Sequence, residues 1–124
     1  MKIFIFTIAA FITLNSFGQN SLANSQWKST MLMPGAIDVK FIFKKDTLSI
    51  TSETIPVIGT IFFFQRNDTL LIRKIDGPSP CPEDAQGLYL IQWIEKGRKF
   101  RLQPISDECE GRIGPFTLYP FEKL

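Results

Sequence analysis

From Gln26 onward, hydrophobic residues recur with period two. Ile37, Val39, Phe41 and Phe43 alternate with Asp38, Lys40, Ile42 and Lys44, the spacing of a strand with one buried face. After a break at Lys44-Lys45-Asp46, Leu48 and Ile50 alternate with Thr47, Ser49 and Thr51, so the two runs read as a β-hairpin. The design returns at residues 60–65 and 70–75 across Arg66-Asn67-Asp68, and at residues 88–94 and 99–103 across Glu95-Lys96-Gly97. The first two hairpins even share Asp-Thr-Leu at the start of their second strand, Asp46-Thr47-Leu48 and Asp68-Thr69-Leu70. Flanking strands are expected near residues 26–33, ended by Pro34-Gly35, and near residues 116–121. One short helical turn fits within residues 107–114.

About eight short antiparallel strands in sequence order predict an all-β, up-and-down meander closed into a barrel, since closure removes the sheet edges. An open β-sandwich is the alternative. Two strands are apolar on both faces. Residues 60–65 set Phe62 and Phe64 against Ile61 and Phe63, and residues 88–94 set Leu88, Leu90 and Ile94 against Tyr89, Ile91 and Trp93. A barrel filled by its own side chains needs only one apolar face per strand. The surplus face therefore calls for cover: a flanking segment, a second copy in a homodimer, or a lipid-like ligand.

The N-terminus changes the picture. Residues 1–18 carry Lys2, an apolar run from Ile3 to Leu14, then Ser16 and Gly18 at the −3 and −1 positions of a cleavage site, the layout of a secretory signal peptide. The run is shorter than the ~20 residues a membrane-spanning helix needs, and no Cys follows it to anchor a lipoprotein. The expectation is a secreted or periplasmic protein that is not inserted in a membrane. Its single domain spans residues 19–124, leaving 106 of the 124 residues after an 18-residue leader. A domain of that size buries roughly 65% of the surface its unfolded chain exposes, a modest core.

Charge and composition narrow the chemistry. The formal charge of +2 falls to +1 when Lys2 leaves with the signal, too little to attract nucleic acid. The chain has no His, so it lacks the commonest general base and the commonest zinc ligand. No nucleophile elbow or Gly-rich phosphate loop occurs. The basic residues Lys96, Arg98, Lys99 and Arg101 read as a solvated outer face. Asp107, Glu108 and Glu110 with Glu83 and Asp84 lack the Asp-x-Asp-x-Asp-Gly loop that calcium favours. No metal site, cofactor or enzymatic activity is expected.

Cys81 and Cys109 are the only cysteines. An even count in an oxidising compartment predicts one structural disulfide, closing 28 residues of chain between the loop before the third hairpin and the segment after it. Nearby, Asp107 and Arg112 are either a polar pair at a barrel mouth, able to hold a carboxylate through the guanidinium fork, or an internal ion pair.

The segment Cys81-Pro82, Gly87-Leu88-Tyr89, a hairpin, and then Asp107-Glu108-Cys109-Glu110-Gly111-Arg112 resembles the small secreted lipocalin-like (calycin-like) proteins of bacteria. The resemblance covers residues 81–112, about a third of the mature chain. It implies an eight-stranded barrel and the binding of a small hydrophobic or amphipathic ligand, with no catalytic residues. It also implies that Trp27, Asp107 and Arg112 close the barrel, with Arg112 packed against Trp27; the family's G-x-W signature is replaced here by Ser25-Gln26-Trp27. Ligand-binding candidates are Phe62, Phe64, Tyr89, Trp93 and Arg112, with a wider lining drawn from Phe41, Phe43, Leu70, Leu90 and Phe100. The alternative function is a structural or protein-interaction module with a solid core, such as an inhibitor or a self-associating surface protein.

Overall fold

The computed structural model describes residues 20–32, 35–54, 58–77 and 81–124; the expected signal peptide lies outside the described residues. Eight strands run in order: β1 (Ser25–Leu32), β2 (Ala36–Phe43), β3 (Thr47–Thr51), β4 (Gly59–Arg66), β5 (Thr69–Asp76), β6 (Gln86–Ile94), β7 (Lys99–Asp107) and β8 (Phe121–Lys123). One helix, α1 (Glu110–Thr117), joins β7 to β8. Each strand pairs antiparallel with the next, and β8 returns to β1 through Trp27–Lys123 and Lys28–Glu122, so the meander closes into a barrel. The sandwich alternative is excluded by this closure.

The three expected hairpins are β2–β3, β4–β5 and β6–β7. Their turns lie where charged and Asn/Gly residues interrupt the alternation. Asn67 takes a left-handed φ of 55°, which Asn tolerates better than most residues. Alternation also sets the faces: Val39, Phe41, Phe43, Leu48 and Ile50 all point inward and are buried.

The C-terminal end departs from the expected pattern. The strand predicted over residues 116–121 is a helix through Thr117, and only Phe121 of that span belongs to β8. The helix is also longer than the single turn expected. It contains Gly111, Gly114 and Pro115, residues that favour helix little, so packing holds it: Arg112 and Phe116 are its buried residues.

Inside the barrel, seven aromatic rings form a continuous chain of contacts. Trp93 meets Trp27 (ring centroids 6.1 Å), Trp27 meets Phe100 (4.7 Å), and Phe100 stacks on Phe121 (4.5 Å). Phe121 meets Phe41 (4.8 Å), Phe41 meets Phe116 (5.8 Å), and Phe116 meets Tyr89 (6.0 Å). These separations are those of directly packed rings.

Both ends of the bore are stoppered. At the hairpin end, Leu22 is fully buried. Gln65 ties its segment down, accepting from the Leu22 N–H (2.8 Å) and donating to the carbonyls of Asn20 and Asn67 (2.8 Å each). At the opposite end, α1 lays Phe116 over the core.

Candidate functional site

Two places gather the expected site residues: a buried cluster under α1, and an outer wall around Phe64. The buried cluster is built by β6, β7 and α1. Tyr89 points inward from β6 and is fully buried. Opposite it, β7 ends on Asp107, and two residues later Cys109 stands at the N-cap position of α1. One helical turn on, Arg112 returns over Asp107. The guanidinium grips the carboxylate with two bonds, Nε to Oδ2 (2.9 Å) and Nη2 to Oδ1 (2.7 Å), and Nη2 also donates to the Ala85 carbonyl (3.1 Å). The Tyr89 hydroxyl donates to Oδ2, and the Cys109 N–H donates to Oδ1 (2.8 Å). Both charged side chains are almost fully shielded, at 5% and 0% exposure.

Gly87 makes room for this arrangement. A Cβ there would lie 2.6 Å from Asp107 Oδ2 and 2.9 Å from the Tyr89 ring, which gives the Gly87-Leu88-Tyr89 motif a steric reason. Cys81 and Cys109 form the expected disulfide, with Cα atoms 5.6 Å apart. It fastens the loop carrying Ala85 to the start of α1, so both partners of Arg112 are held in one clamp.

The electrostatics follow from this geometry. Burial alone pushes the Asp107 carboxyl up, but the bonds from Arg112, Tyr89 and the Cys109 N–H outweigh it and hold the group below its ordinary 3.8. Burial, reinforced by the adjacent carboxylate, pushes the Tyr89 phenol well above its ordinary 10.0. Arg112 loses solvation yet keeps its proton more firmly, because Asp107 stands against it.

The expected Arg112–Trp27 closure takes a different form. Trp27 packs on Trp93 and Phe100, with the Lys123 ammonium 5.9 Å above its ring. Its indole N–H donates to Ser25 Oγ (2.7 Å). Arg112 commits its charge to Asp107 instead, and the aromatic chain runs between the two residues. The pair is therefore an internal ion pair rather than a polar pair open at a mouth. Tyr89 and Arg112 are too enclosed to meet a ligand from solvent, and Trp93, half-buried, donates to Asp68 (3.0 Å). Glu108 accepts from the Gln86 N–H (2.7 Å).

The interior lining also differs from expectation. Phe41, Phe43, Leu70 and Phe100 are buried inside, whereas Phe62, Phe64 and Leu90 stand on the outer face. Ile61 and Phe63 are the inward residues of β4. Phe62 and Phe64 instead border a cleft of about 440 Å³ at the hairpin-end rim, where β4 meets the Asn20–Ala23 segment, Lys45 and Asp46 of the β2–β3 turn, and Asn67. On its other side Phe64 borders a second cleft of about 370 Å³ with Arg66, Thr69, Leu71 and Leu88. Sequence reasoning missed Arg66, Leu71 and Arg73 as wall residues; alternation along β5, once paired with β4, is the signal that would have found them.

No family model matches the chain, and no curated protein or solved structure matches it. No helix among the described residues is long and apolar enough to cross a membrane. The formed disulfide fits an oxidising compartment.

Proposed function

We propose that this chain is a non-enzymatic interaction module: a secreted or periplasmic lipocalin-like barrel with a solid core, which binds a partner through the outer wall of β4, β5 and β6. The observation that carries this reading is the chain of seven rings along the bore, stoppered by Leu22 at one end and Phe116 at the other. Small eight-stranded barrels have an interior just wide enough for side chains to fill, and direct ring contacts leave a ligand nowhere to lie along that column. The outer wall supplies the complementary feature. Phe64 is 56% exposed, and a large aromatic beside concave clefts is the kind of anchor on which binding energy concentrates. Asp107 is consumed by its buried partners, which leaves it no part in acid–base chemistry. A second reading, a small amphipathic ligand, is served by the clefts beside Phe64 rather than by the bore.

Methyl NMR under xenon pressure tests this, because xenon enters dry apolar voids. The expected shifts are confined to Leu71, Leu88 and their neighbours on the wall. Shifts at Val39, Leu48 and Ile72, which line the interior, would reveal a void and overturn the solid-core reading.

A further inference from the structure

The wall of β4, β5 and β6 carries an apolar row: Phe64 pairs with Leu71, and Leu71 with Leu88. Guanidinium groups stand on both sides of that row. Arg66 lies on one side, opposite Thr69; Arg73 lies on the other, its guanidinium 5.0 Å over the Phe62 ring. Both are exposed, and neither ion pair among the described residues uses them. The outward positions around that row, alternate residues over 60–66, 69–73 and 86–94, hold no carboxylate; Asp76, exposed at the far end of β5, lies beyond the bulge, opposite Thr60. Asp46 is the one acid on the clefts, at the turn beside Lys45.

This pattern selects an occupant. A second copy placed face to face would set Arg66 and Arg73 against groups of the same sign, a juxtaposition that costs binding energy. A bilayer would meet the convex barrel wall along a line and leave the two concavities empty. An extended polypeptide fills both, because its side chains fit clefts of this size and its carboxylates pair with guanidinium groups in a two-pronged geometry. Resting on the interaction reading above, we infer that the wall of β4–β6 docks an acidic polypeptide segment of a partner protein. Its apolar side chains seat against Phe64, and its carboxylates meet Arg66 and Arg73.

Panning short random displayed peptides on the mature, oxidised protein tests the inference. Enriched peptides are synthesised and titrated by fluorescence anisotropy. The expected winners are acidic with apolar residues. Phe64→Ser weakens them at least about tenfold, as loss of an anchor does, and Arg66→Glu weakens them with a matching loss of salt sensitivity. Both positions are exposed, and circular dichroism checks that the variants stay folded. Neutral or basic winners that still fail on Phe64→Ser overturn the acidic partner while leaving the interaction wall in place. No enrichment, or binding indifferent to both variants, overturns both. Flotation with phosphatidylcholine–phosphatidylglycerol vesicles that Arg66→Glu abolishes would assign the wall to lipid. A dimer in sedimentation that Phe64→Ser dissolves would assign it to a second copy.

Discussion

Replacing Arg112 with methionine keeps an unbranched apolar stem in the core but removes the guanidinium that neutralises Asp107. Three bonds vanish, two to the carboxylate and one to Ala85, and the side chain of Asp107 is left fully shielded from water with only Tyr89 and the Cys109 N–H as donors. Breaking a buried pair by deleting one partner costs about 3–5 kcal/mol, chiefly through the charge left behind. At about 4–8 °C per kcal/mol for a domain near 100 residues, the melting temperature falls by at least about 12 °C. Urea denaturation and thermal melting by circular dichroism read the loss directly. The pH profile supplies a second readout. Asp107 is depressed below 3.8 in the folded state, so its contribution is present above that value and is lost as pH falls through the folded pKa. The wild-type protein therefore gains stability as strongly acidic solutions are brought toward pH 3.8, and this limb flattens in Arg112→Met. The double variant Asp107→Leu/Arg112→Met removes both charges together and loses less than the two single losses combined. A cost below ~1 kcal/mol, within the range of an exposed pair, together with an unchanged acid limb, would refute the buried-clamp reasoning.

The faces of β4 predict opposite outcomes for neighbouring phenylalanines: Phe63→Ala costs about 3–5 kcal/mol in urea melts, whereas exposed Phe64→Ser stays within ~0.5 kcal/mol of wild type; equal costs would mean the register is wrong. Reducing Cys81–Cys109 frees a loop of 28 residues and lowers stability by roughly 3.5 kcal/mol in the chain-entropy model. A melt unchanged by reductant contradicts this. In a Tyr119→Phe background, ultraviolet titration reports Tyr89 alone, and no phenolate should form near 10.0. Because the folded pKa is raised, stability falls as pH climbs above that ordinary value; phenolate appearing near 10 would place the hydroxyl in water.

Where polar and apolar residues alternate, the fold was legible in the sequence. In β2, Asp38 and Lys40 mark one face, so Val39 and Phe41 could only be inside. In β4 that contrast is missing. Ile61, Phe62, Phe63 and Phe64 are all apolar, and only pairing with β3 and β5 decides which pair enters the bore. That ambiguity put Phe62 and Phe64 among the interior candidates. The helix was hidden for a related reason. Gly111, Gly114 and Pro115 argue against helix locally, and the burial of Phe116 and Arg112, a tertiary effect, overrides them. The disulfide was readable from cysteine count and compartment. The ion pair was readable as a candidate, but its burial and the Tyr89 hydroxyl on Asp107 depend on β6 and β7 lying side by side with a bulge near Leu88. Leu22 as a stopper had no signal of its own, since one leucine in a polar stretch looks like any surface residue until Gln65 is seen holding its backbone.

Native mass spectrometry of the oxidised protein purified from its own host tests most directly whether the barrel is solid and works by its surface. The predicted result is a bare monomer, or a complex with another polypeptide that Phe64→Ser releases. A small-molecule mass that is lost on denaturation and persists in Phe64→Ser would place a ligand within the bore and contradict the solid core.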